Sequence, residues 1–393
     1  MTVSLARPRR ADFLPFSRPT IEDEEIAEVV DSLRSGWLTT GPKVQRFEAA
    51  FREYLGGREA IAVNSATAGL HLALLALDLQ PGEEVITTPL TFAATANVIV
   101  LAGGRPVFAD IHRDTLQIDV DQVAARITPR TRAVIPVHFA GQPCDLDPLY
   151  ALAAQHRLAV IEDAAHALGT EYRGVRIGQQ GFLAVFSFHP TKNITTGEGG
   201  MIVTADEALA ERLRVLRFHG ISKDAWKRYA AQGIPQYDVL APGLKYNMLD
   251  LQAALGLRQL PKLERFIAAR ARLAALYDAA LADLPGLIRP TPVPYPARHS
   301  WHLYTPLLDV DAVGIRRDDF LLALKEENIG TGLHYVAVHL HPYYRDAWGF
   351  RRGDFPQAEY VSDRIFSLPL FPQMTEEDVA DVVAALGRVL ARG

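Results

Sequence analysis

Between residues 59 and 204, short apolar runs alternate with amphipathic stretches, and this alternation constrains the fold more than any other feature of the sequence. Seven runs have the length and composition of buried strands, at 60–63, 84–88, 106–109, 133–137, 159–162, 183–188 and 201–204. Helical patterns lie between several of them, as at 67–77 and 147–155. Strands that alternate with helices are typical of a mostly parallel sheet covered on both faces. We therefore predict an α/β fold for this part of the chain.

The pattern changes near Pro261, where a long helix is predicted over 262–284 and a proline-rich linker follows at 290–296. The chain has 393 residues, which exceeds the size at which one core usually keeps growing. We therefore predict a large domain over 1–260 and a smaller C-terminal α+β domain over 261–393.

Three elements are predicted in the smaller domain. A strand is expected at 300–310 and a helix at 317–327. A final helix should begin after Thr375, because a threonine hydroxyl is a good helix cap and Asp378 follows three residues later.

Composition excludes several classes of function. The net charge is −5 and the pI is near 6.2, so we expect neither a nucleic acid partner nor a membrane partner. Cys144 is the only cysteine, which excludes an intramolecular disulfide and zinc sites built from several thiolates. The sequence contains no run of about 18 uncharged apolar residues, the length that a transmembrane helix needs. We therefore expect a cytoplasmic protein.

Ligands of parallel sheets bind beyond the carboxyl ends of the strands, and small or charged residues follow three of the predicted strands. The stretch NSAT at 64–67 leads into a helix, which suits a phosphate site or simply a capped helix. Asp163 ends another strand, and its alternative role is also that of a helix cap. His166 follows it, and a histidine there is often only part of the core.

Lys192 follows the third of these strands by a short turn. Most lysines lie in solvent, so a lysine at a predicted strand end needs another explanation. Pyridoxal phosphate requires an amine for its aldehyde, a carboxylate for its ring nitrogen and donors for its phosphate. The three strand ends together offer these groups, and we predict a pyridoxal phosphate site.

Four motifs carry a resemblance to a known family: SGWLTTGP at 35–42, NSAT at 64–67, EDAAH at 162–166 and SFHPTK at 187–192. The chain resembles the DegT/StrS sugar aminotransferases over nearly its whole length. The resemblance implies the aspartate aminotransferase fold (fold type I), with a large, mostly parallel sheet domain and a smaller C-terminal α+β domain. Within that family, LPFSRP at 14–19 and NIGTGLHY at 328–335 most resemble the enzymes that make UDP-4-amino-4-deoxy-L-arabinose for lipopolysaccharide.

The resemblance also implies roles for individual residues around the cofactor. Lys192 would form the Schiff base, and Asp163 would bind the ring nitrogen. His166 would bond the phenolic oxygen, and Phe92 would stack on the ring unless it only packs in the core. The residues implied for the phosphate are Ala66, Thr67 and Ser187.

Further residues are implied on the substrate side and at a subunit interface. Trp37 and Thr40 resemble a substrate loop, for which a surface turn is the alternative. The histidines expected to contact substrate are His189, His334 and His339. The family completes the phosphate site from a neighbouring subunit through a Gly-x-Asn-x-Arg pattern, which implies a homodimer with shared sites. This chain departs from the pattern, because Lys245 and Asn247 occupy its two functional places.

The implied reaction moves the amino group of L-glutamate to a nucleotide-linked 4-keto sugar by a ping-pong scheme. The resemblance favours a UDP-4-keto-pentose, and a dTDP- or UDP-linked 4-keto-6-deoxyhexose is the alternative. A dehydratase of the same fold would carry a histidine in place of Lys192, and a non-catalytic sensor is a further alternative. His334, His339 and His341 could form a metal site, but no carboxylate lies between them, and we predict no metal.

Overall fold

The computed structural model of the chain describes residues 7–221 and 237–392. The strands in these residues are β1 (Glu59–Val63), β2 (Glu84–Thr87), β3 (Arg105–Phe108), β4 (Thr131–Ile135), β5 (Ala159–Asp163), β6 (Glu171–Tyr172), β7 (Val175–Arg176), β8 (Leu183–Ser187), β9 (Gly200–Thr204), β10 (Leu287–Ile288), β11 (Ala297–Arg298) and β12 (Leu307–Leu308). The helices are α1 (Asp23–Ser35), α2 (Pro42–Tyr54), α3 (Ala66–Ala76), α4 (Ala93–Leu101), α5 (Val120–Arg126), α6 (Leu146–His156), α7 (Glu207–Leu216), α8 (Asp250–Gln259), α9 (Leu263–Leu281), α10 (Val310–Val313), α11 (Arg317–Glu326), α12 (Pro342–Trp348), α13 (Pro356–Ser362) and α14 (Glu376–Leu390).

A seven-stranded sheet in the order β1-β9-β8-β5-β4-β2-β3 forms the centre of the molecule. Strand β9 is antiparallel to both of its neighbours, and the other adjacent pairs are parallel. The seven apolar runs predicted as strands all lie in this sheet, which confirms the predicted mostly parallel α/β fold. Because six strands point the same way, their carboxyl ends meet at one edge of the sheet.

Both faces of the sheet are covered by helices, as expected for strands that are apolar on both sides. On one face, Phe51 of α2 and Leu149 of α6 belong to a buried cluster with Phe186 of β8. On the other face, Leu74 of α3 and Val98 of α4 are buried in a second cluster. The central sheet is therefore the middle layer of a three-layer sandwich.

A third apolar cluster forms the core of the C-terminal part. It contains Leu273 of α9, Phe320 of α11 and Val382 of α14. Leu14 also packs there, and its backbone N–H donates to Asn328 O at 2.9 Å. A segment near the N-terminus thus contributes to the C-terminal core, although the predicted division at 261 assigns it to the first domain.

The elements of the C-terminal part follow the sequence with one exception. Helices α9 and α11 agree with the predicted helices at 262–284 and 317–327. Thr375 caps α14 by accepting from the N–H of Asp378, whose carboxylate accepts from the N–H of Thr375 in return, as predicted. The strand predicted at 300–310 is wrong, because only β12 forms there and Trp301 has a φ of 51°, which a strand cannot contain.

Within residues 7–221 and 237–392, no helix combines the length and the apolar character needed to span a bilayer.

Candidate active site

A cavity of about 450 Å³ opens at the carboxyl ends of the parallel strands. Its walls come from the loops after β1, β2, β4, β5 and β8 and from the segment around residue 334. Among the predicted site residues, those lining it are Ala66, Thr67, Phe92, Asp163, His166, Ser187, His189, Lys192 and His334. The strand-end rule therefore located the segments after β1, β5 and β8, and the family resemblance implied the other predicted residues of this lining.

Asp163, at the end of β5, is 5% exposed and lies at the cavity wall. Its carboxylate accepts hydrogen bonds from Thr95 Oγ1 at 2.8 Å and from the Ala165 N–H at 3.1 Å. Thr91 Oγ1 lies 2.8 Å from Thr95 Oγ1 and extends this chain. Burial raises the pKa of Asp163, and the charge of Lys192 opposes that rise. Since both donors are neutral, a protonated ring nitrogen would be a favourable partner for the carboxylate.

Lys192 reaches the same cavity from the turn after β8. Its backbone N–H donates to His189 O at 2.9 Å, which closes the turn. Burial lowers the pKa of its ammonium to about 8, although the charge of Asp163 favours the protonated form. Far more of this lysine is therefore a free, nucleophilic amine at neutral pH than of a lysine in solvent.

The N-terminus of α3 faces the cavity and can bind an anion. Ser65 caps the helix by accepting from the N–H of Ala68 at 3.1 Å. The N–H groups of Ala66 and Thr67, in the first turn, have no acceptor within their own helix, because the helix starts there. The Ser187 side chain lines the same cavity. Helix dipole, free N–H groups and hydroxyl together suit a phosphate group.

His166 makes two hydrogen bonds that fix its protonation. The Ala140 N–H donates to Nδ1 at 3.2 Å, so in the neutral ring Nε2 carries the hydrogen. Nε2 lies 3.1 Å from the Tyr335 hydroxyl and donates to it. Burial lowers the pKa of His166 well below its usual value, which keeps the ring neutral.

Aromatic rings form one wall of the cavity. Phe92 is 60% exposed, and its ring centre lies 5.9 Å from that of Tyr335. An exposed phenylalanine that lines the same cavity as a buried carboxylate offers an apolar face for a flat ring.

Four predicted residues lie outside this cavity, and three of them, Asn247, Thr40 and Trp37, contact one another. Asn247 Nδ2 donates to Thr40 Oγ1 at 2.6 Å, and Thr40 Oγ1 donates to Met248 O at 2.6 Å. Trp37 Nε1 donates to Thr40 O at 3.1 Å. The Lys245 ammonium lies 4.3 Å from the centre of the Phe218 ring. None of these four is among the described residues that line the cavity.

The predicted histidines divide between the cavity and the core. His189 lines the cavity, with Nδ1 3.0 Å from Thr191 Oγ1. His334 lines it too, with Nδ1 2.8 Å from Ser367 Oγ. The structure does not bring His339 there, because its ring is fully buried with Nε2 3.0 Å from a carboxylate oxygen of Glu359.

The three histidines considered for a metal site do not converge, since His334 and His339 face different partners. In the part of the chain that the structure describes, no cluster of three histidine, cysteine or acidic residues could hold a metal ion.

Sequence reasoning did not assign several residues that line or support the cavity, among them Thr91, Thr95, Glu198, His302 and Tyr335. Thr91 and Thr95 follow β2, so the strand-end rule could have found them. His302 and Tyr335 come from the C-terminal part, and no local pattern in the sequence links them to the strand ends.

The residues around the cavity match the groups of pyridoxal phosphate. Lys192 supplies an amine. Asp163 supplies a buried carboxylate, and its hydrogen-bond donors among the described residues are all neutral. The first turn of α3 supplies phosphate donors, and Phe92 supplies an apolar face. The cofactor therefore fits the residues present.

A family model described as the DegT/DnrJ/EryC1/StrS aminotransferase family matches residues 19–387. The spore coat polysaccharide biosynthesis protein SpsC of Bacillus subtilis is 51% identical over 379 residues, which are 96% of this chain and 97% of SpsC.

Two solved structures share the whole architecture. Spr1654 of Streptococcus pneumoniae, assigned as a sugar aminotransferase and solved in a PLP form, matches with a TM-score of 0.88 and 31% identity over 97% of this chain and 99% of its own. PseC of Helicobacter pylori, an aminotransferase involved in the biosynthesis of pseudoaminic acid, matches with a TM-score of 0.88 and 30% identity over 97% of this chain and 100% of its own.

Proposed function

The chain belongs to the DegT/DnrJ/EryC1/StrS aminotransferase family, and from that premise we propose that it transfers the amino group of L-glutamate to a nucleotide-linked 4-keto sugar. As a member of this family, the chain is a pyridoxal phosphate-dependent sugar aminotransferase. The amino donor and the nucleotide-linked acceptor are the parts that we propose. The observation that carries the proposal is that the amine of Lys192 and the carboxylate of Asp163 line one cavity.

The cofactor, when bound, supplies an aldehyde that takes up an amino group and a ring that withdraws electrons from the reacting carbon. Asp163 would hold the ring nitrogen protonated through its negative charge. Lys192 Nζ would accept the proton from the α-carbon of glutamate and would then donate it to a second carbon atom in the same half-reaction. The lowered pKa of Lys192, about 8, suits a group that must both accept and donate a proton near neutrality.

Donor and acceptor would use the same cavity in turn, which is a ping-pong scheme. Spr1654 has been solved in both a PLP form and a PMP form, the two states between which such a scheme alternates. His189 and His334 line the cavity and are the proposed contacts to the sugar.

A UDP-4-keto-pentose is the proposed acceptor, and a dTDP- or UDP-linked 4-keto-6-deoxyhexose is the alternative. The pentose rests on the stretches at 14–19 and 328–335, which lie side by side because Leu14 and Ile329 pair as a bridge. The second stretch continues to His334 and Tyr335 at the cavity. The names of the relatives favour neither acceptor over the other, since PseC is named for pseudoaminic acid and SpsC for a spore coat polysaccharide.

The test supplies the purified, pyridoxal phosphate-loaded enzyme with L-glutamate and a panel of UDP- and dTDP-linked 4-keto sugars, and measures 2-oxoglutarate and aminated sugar. We expect one class of sugar to be aminated. Borohydride should attach the cofactor to the peptide that carries Lys192, and the Lys192→Ala variant should be colourless and inactive. An active Lys192→Ala variant would contradict the role of this lysine.

The same assay separates the alternatives. If glutamate is converted to 2-oxoglutarate but no sugar is aminated, the chain is still an aminotransferase and the proposed sugar acceptors are wrong. Loss of water from a sugar without amination would indicate a dehydratase, and cofactor binding with no reaction would indicate a sensor. A lipopolysaccharide pathway, a cytoplasmic location and a homodimer stay predictions.

A further inference from the structure

His302 contacts the reactive lysine from the C-terminal part of the chain. Its Nε2 lies 3.3 Å from Lys192 Nζ, and the histidine is 3% exposed. An ammonium group has only donors, so Nε2 must be the acceptor when Lys192 is protonated. The contact therefore joins a buried ring nitrogen to the atom that binds the cofactor.

The backbone around His302 is attached to the lysine turn and to the large sheet domain. Asn193, next to the lysine in sequence, donates from Nδ2 to Ser300 O at 2.8 Å. The Ser300 N–H donates to Gly141 O at 3.0 Å. Arg270, which is itself buried, donates from Nη1 to His302 O at 3.2 Å. These bonds fix the position of the imidazole relative to Lys192.

The surroundings of His302 keep its ring neutral. Burial lowers the pKa of His302 well below its usual value, and nearby positive or protonatable groups lower it further. The groups that face it are Lys192, His166, Arg270 and His334. Nδ1 has no hydrogen-bond partner among the described residues, so the contact with Lys192 alone sets which nitrogen carries the hydrogen.

We propose that His302 is a positioning residue for Lys192, in which Nε2 accepts a hydrogen bond from the lysine and holds its amine at the cavity wall. One N–H of Lys192 is then directed at His302, and the rest of the amine is left for the cofactor and for proton transfer. The inference rests on the proposed role of Lys192. It can nevertheless be tested without a sugar substrate.

The hydrogen bond has a predictable effect on the lysine. The charge of Asp163 opposes the effect of burial on the pKa of Lys192. An acceptor also stabilises the ammonium more than the amine, so the contact with His302 Nε2 at 3.3 Å should act in the same direction as that charge. The other titratable groups that line the cavity are also present in all the variants compared, namely His166, His189, Glu198, His334 and Tyr335. Removal of the acceptor should therefore lower the pKa of Lys192 below its present value of about 8.

The experiment measures the pH midpoint at which acetic anhydride labels Lys192 in the full-length, cofactor-free protein, by mass spectrometry of the lysine peptide. In His302→Phe, which keeps a flat ring but no acceptor, we expect the midpoint to fall by about one pKa unit. His302→Gln, whose side-chain amide can place an oxygen near the position of Nε2, should return it close to the wild-type value. An unchanged midpoint in folded His302→Phe, or equal shifts in both variants, would overturn the proposal.

A measurement on the wild-type protein covers the case in which His302→Phe does not fold. With ¹⁵N-labelled histidine, the nitrogen shifts of His302 distinguish a protonated from an unprotonated Nε2, and the signal is assigned by its loss in His302→Gln. We expect Nε2 unprotonated and Nδ1 protonated below the midpoint of Lys192. A protonated Nε2 would exclude the acceptor role, whether or not the enzyme aminates any sugar.

Discussion

Burial acts on Lys192 and Asp163 in opposite directions. It lowers the pKa of the lysine to about 8 and raises that of the aspartate, so burial disfavours the charged form of each group. Each charge also stabilises the other, which limits both shifts. The pair is therefore prepared for a ligand that takes up the amine and offers a cationic ring to the carboxylate.

The carboxylate of Asp163 should matter for rate more than for binding. In Asp163→Asn the neutral amide cannot hold a ring nitrogen protonated, and we expect the rate constant of the glutamate half-reaction to fall by about a hundredfold or more while the cofactor stays bound. Stopped-flow measurement of the glutamate half-reaction checks this. The matched control is Asp147→Asn, whose side chain is 61% exposed on α6 and should leave the rate unchanged. Near-normal turnover in Asp163→Asn would refute the role of this charge.

Single residues were predictable where the chemistry follows a strand directly. Asp163 and Lys192 could be found because each is a charged side chain placed after an apolar run. His302 and Tyr335 could not, since their contacts with Lys192 and His166 join residues 110 and 169 positions apart. Such contacts depend on how the C-terminal part docks, which no short stretch of sequence encodes.

At the scale of elements, the phosphate region depends on a close approach between β9 and α3. A Cβ atom added to Gly200 would lie 2.7 Å from Ala66 N and 2.7 Å from Ser65 C, which are backbone atoms and cannot turn aside. Only glycine lets the antiparallel strand come this close to the start of the helix. The sheet thereby sets the position of the N–H groups proposed to bind phosphate.

Gly200→Ala should therefore weaken cofactor binding. We expect the helix start to shift and the Kd for pyridoxal phosphate to rise about tenfold, with a loss of about 1–3 kcal/mol in the free energy of unfolding. Absorbance titration and chemical denaturation give the two values. Val203→Ala is the matched control, because Val203 lies on the same strand in the cluster on the other face of the sheet. It should reduce stability by about 1–3 kcal/mol and leave the Kd unchanged. Equal Kd values for the wild type and Gly200→Ala would contradict the close-approach argument.

Elements were predictable where periodicity decides the structure. The central strands are apolar on both faces, and the cap of α14 follows from Thr375 and Asp378. A strand is predicted over 300–310, yet Ser300 and Leu303 donate their N–H groups to the carbonyls of Gly141 and Ala140. A tertiary contact with the turn beside His166 replaced the expected ladder.

At the scale of the whole molecule, the second group of predicted residues needs an explanation. Asn247 bonds to Thr40 and pairs with Val63 at the end of β1, yet neither its side chain nor that of Thr40 lines the cavity among the described residues. In a homodimer with shared sites, this group would complete the cavity of the neighbouring subunit. The question is whether Asn247 serves its own chain or the other one.

Mixing two impaired variants answers this question. Lys192→Ala lacks the reactive amine, and Asn247→Ala lacks the proposed phosphate contact. If Asn247 acts across the interface, a mixed dimer contains one site with both native residues, and one with neither. Random re-assembly of equal amounts makes half of the dimers mixed, so we expect recovery of about one quarter of wild-type activity. Sugar amination after denaturant-induced exchange of subunits is the measurement.

The control places both substitutions in one chain and mixes it with wild type. If Asn247 acts across the interface, mixed dimers of this kind contain no site with both native residues, so activity should come from wild-type dimers alone. If Asn247 acts within its own chain, Lys192→Ala mixed with Asn247→Ala recovers nothing, because each site then carries one substitution. A fully active monomer in size-exclusion chromatography would exclude the shared site altogether. The two mixtures thus separate a site built by one chain from a site built by two.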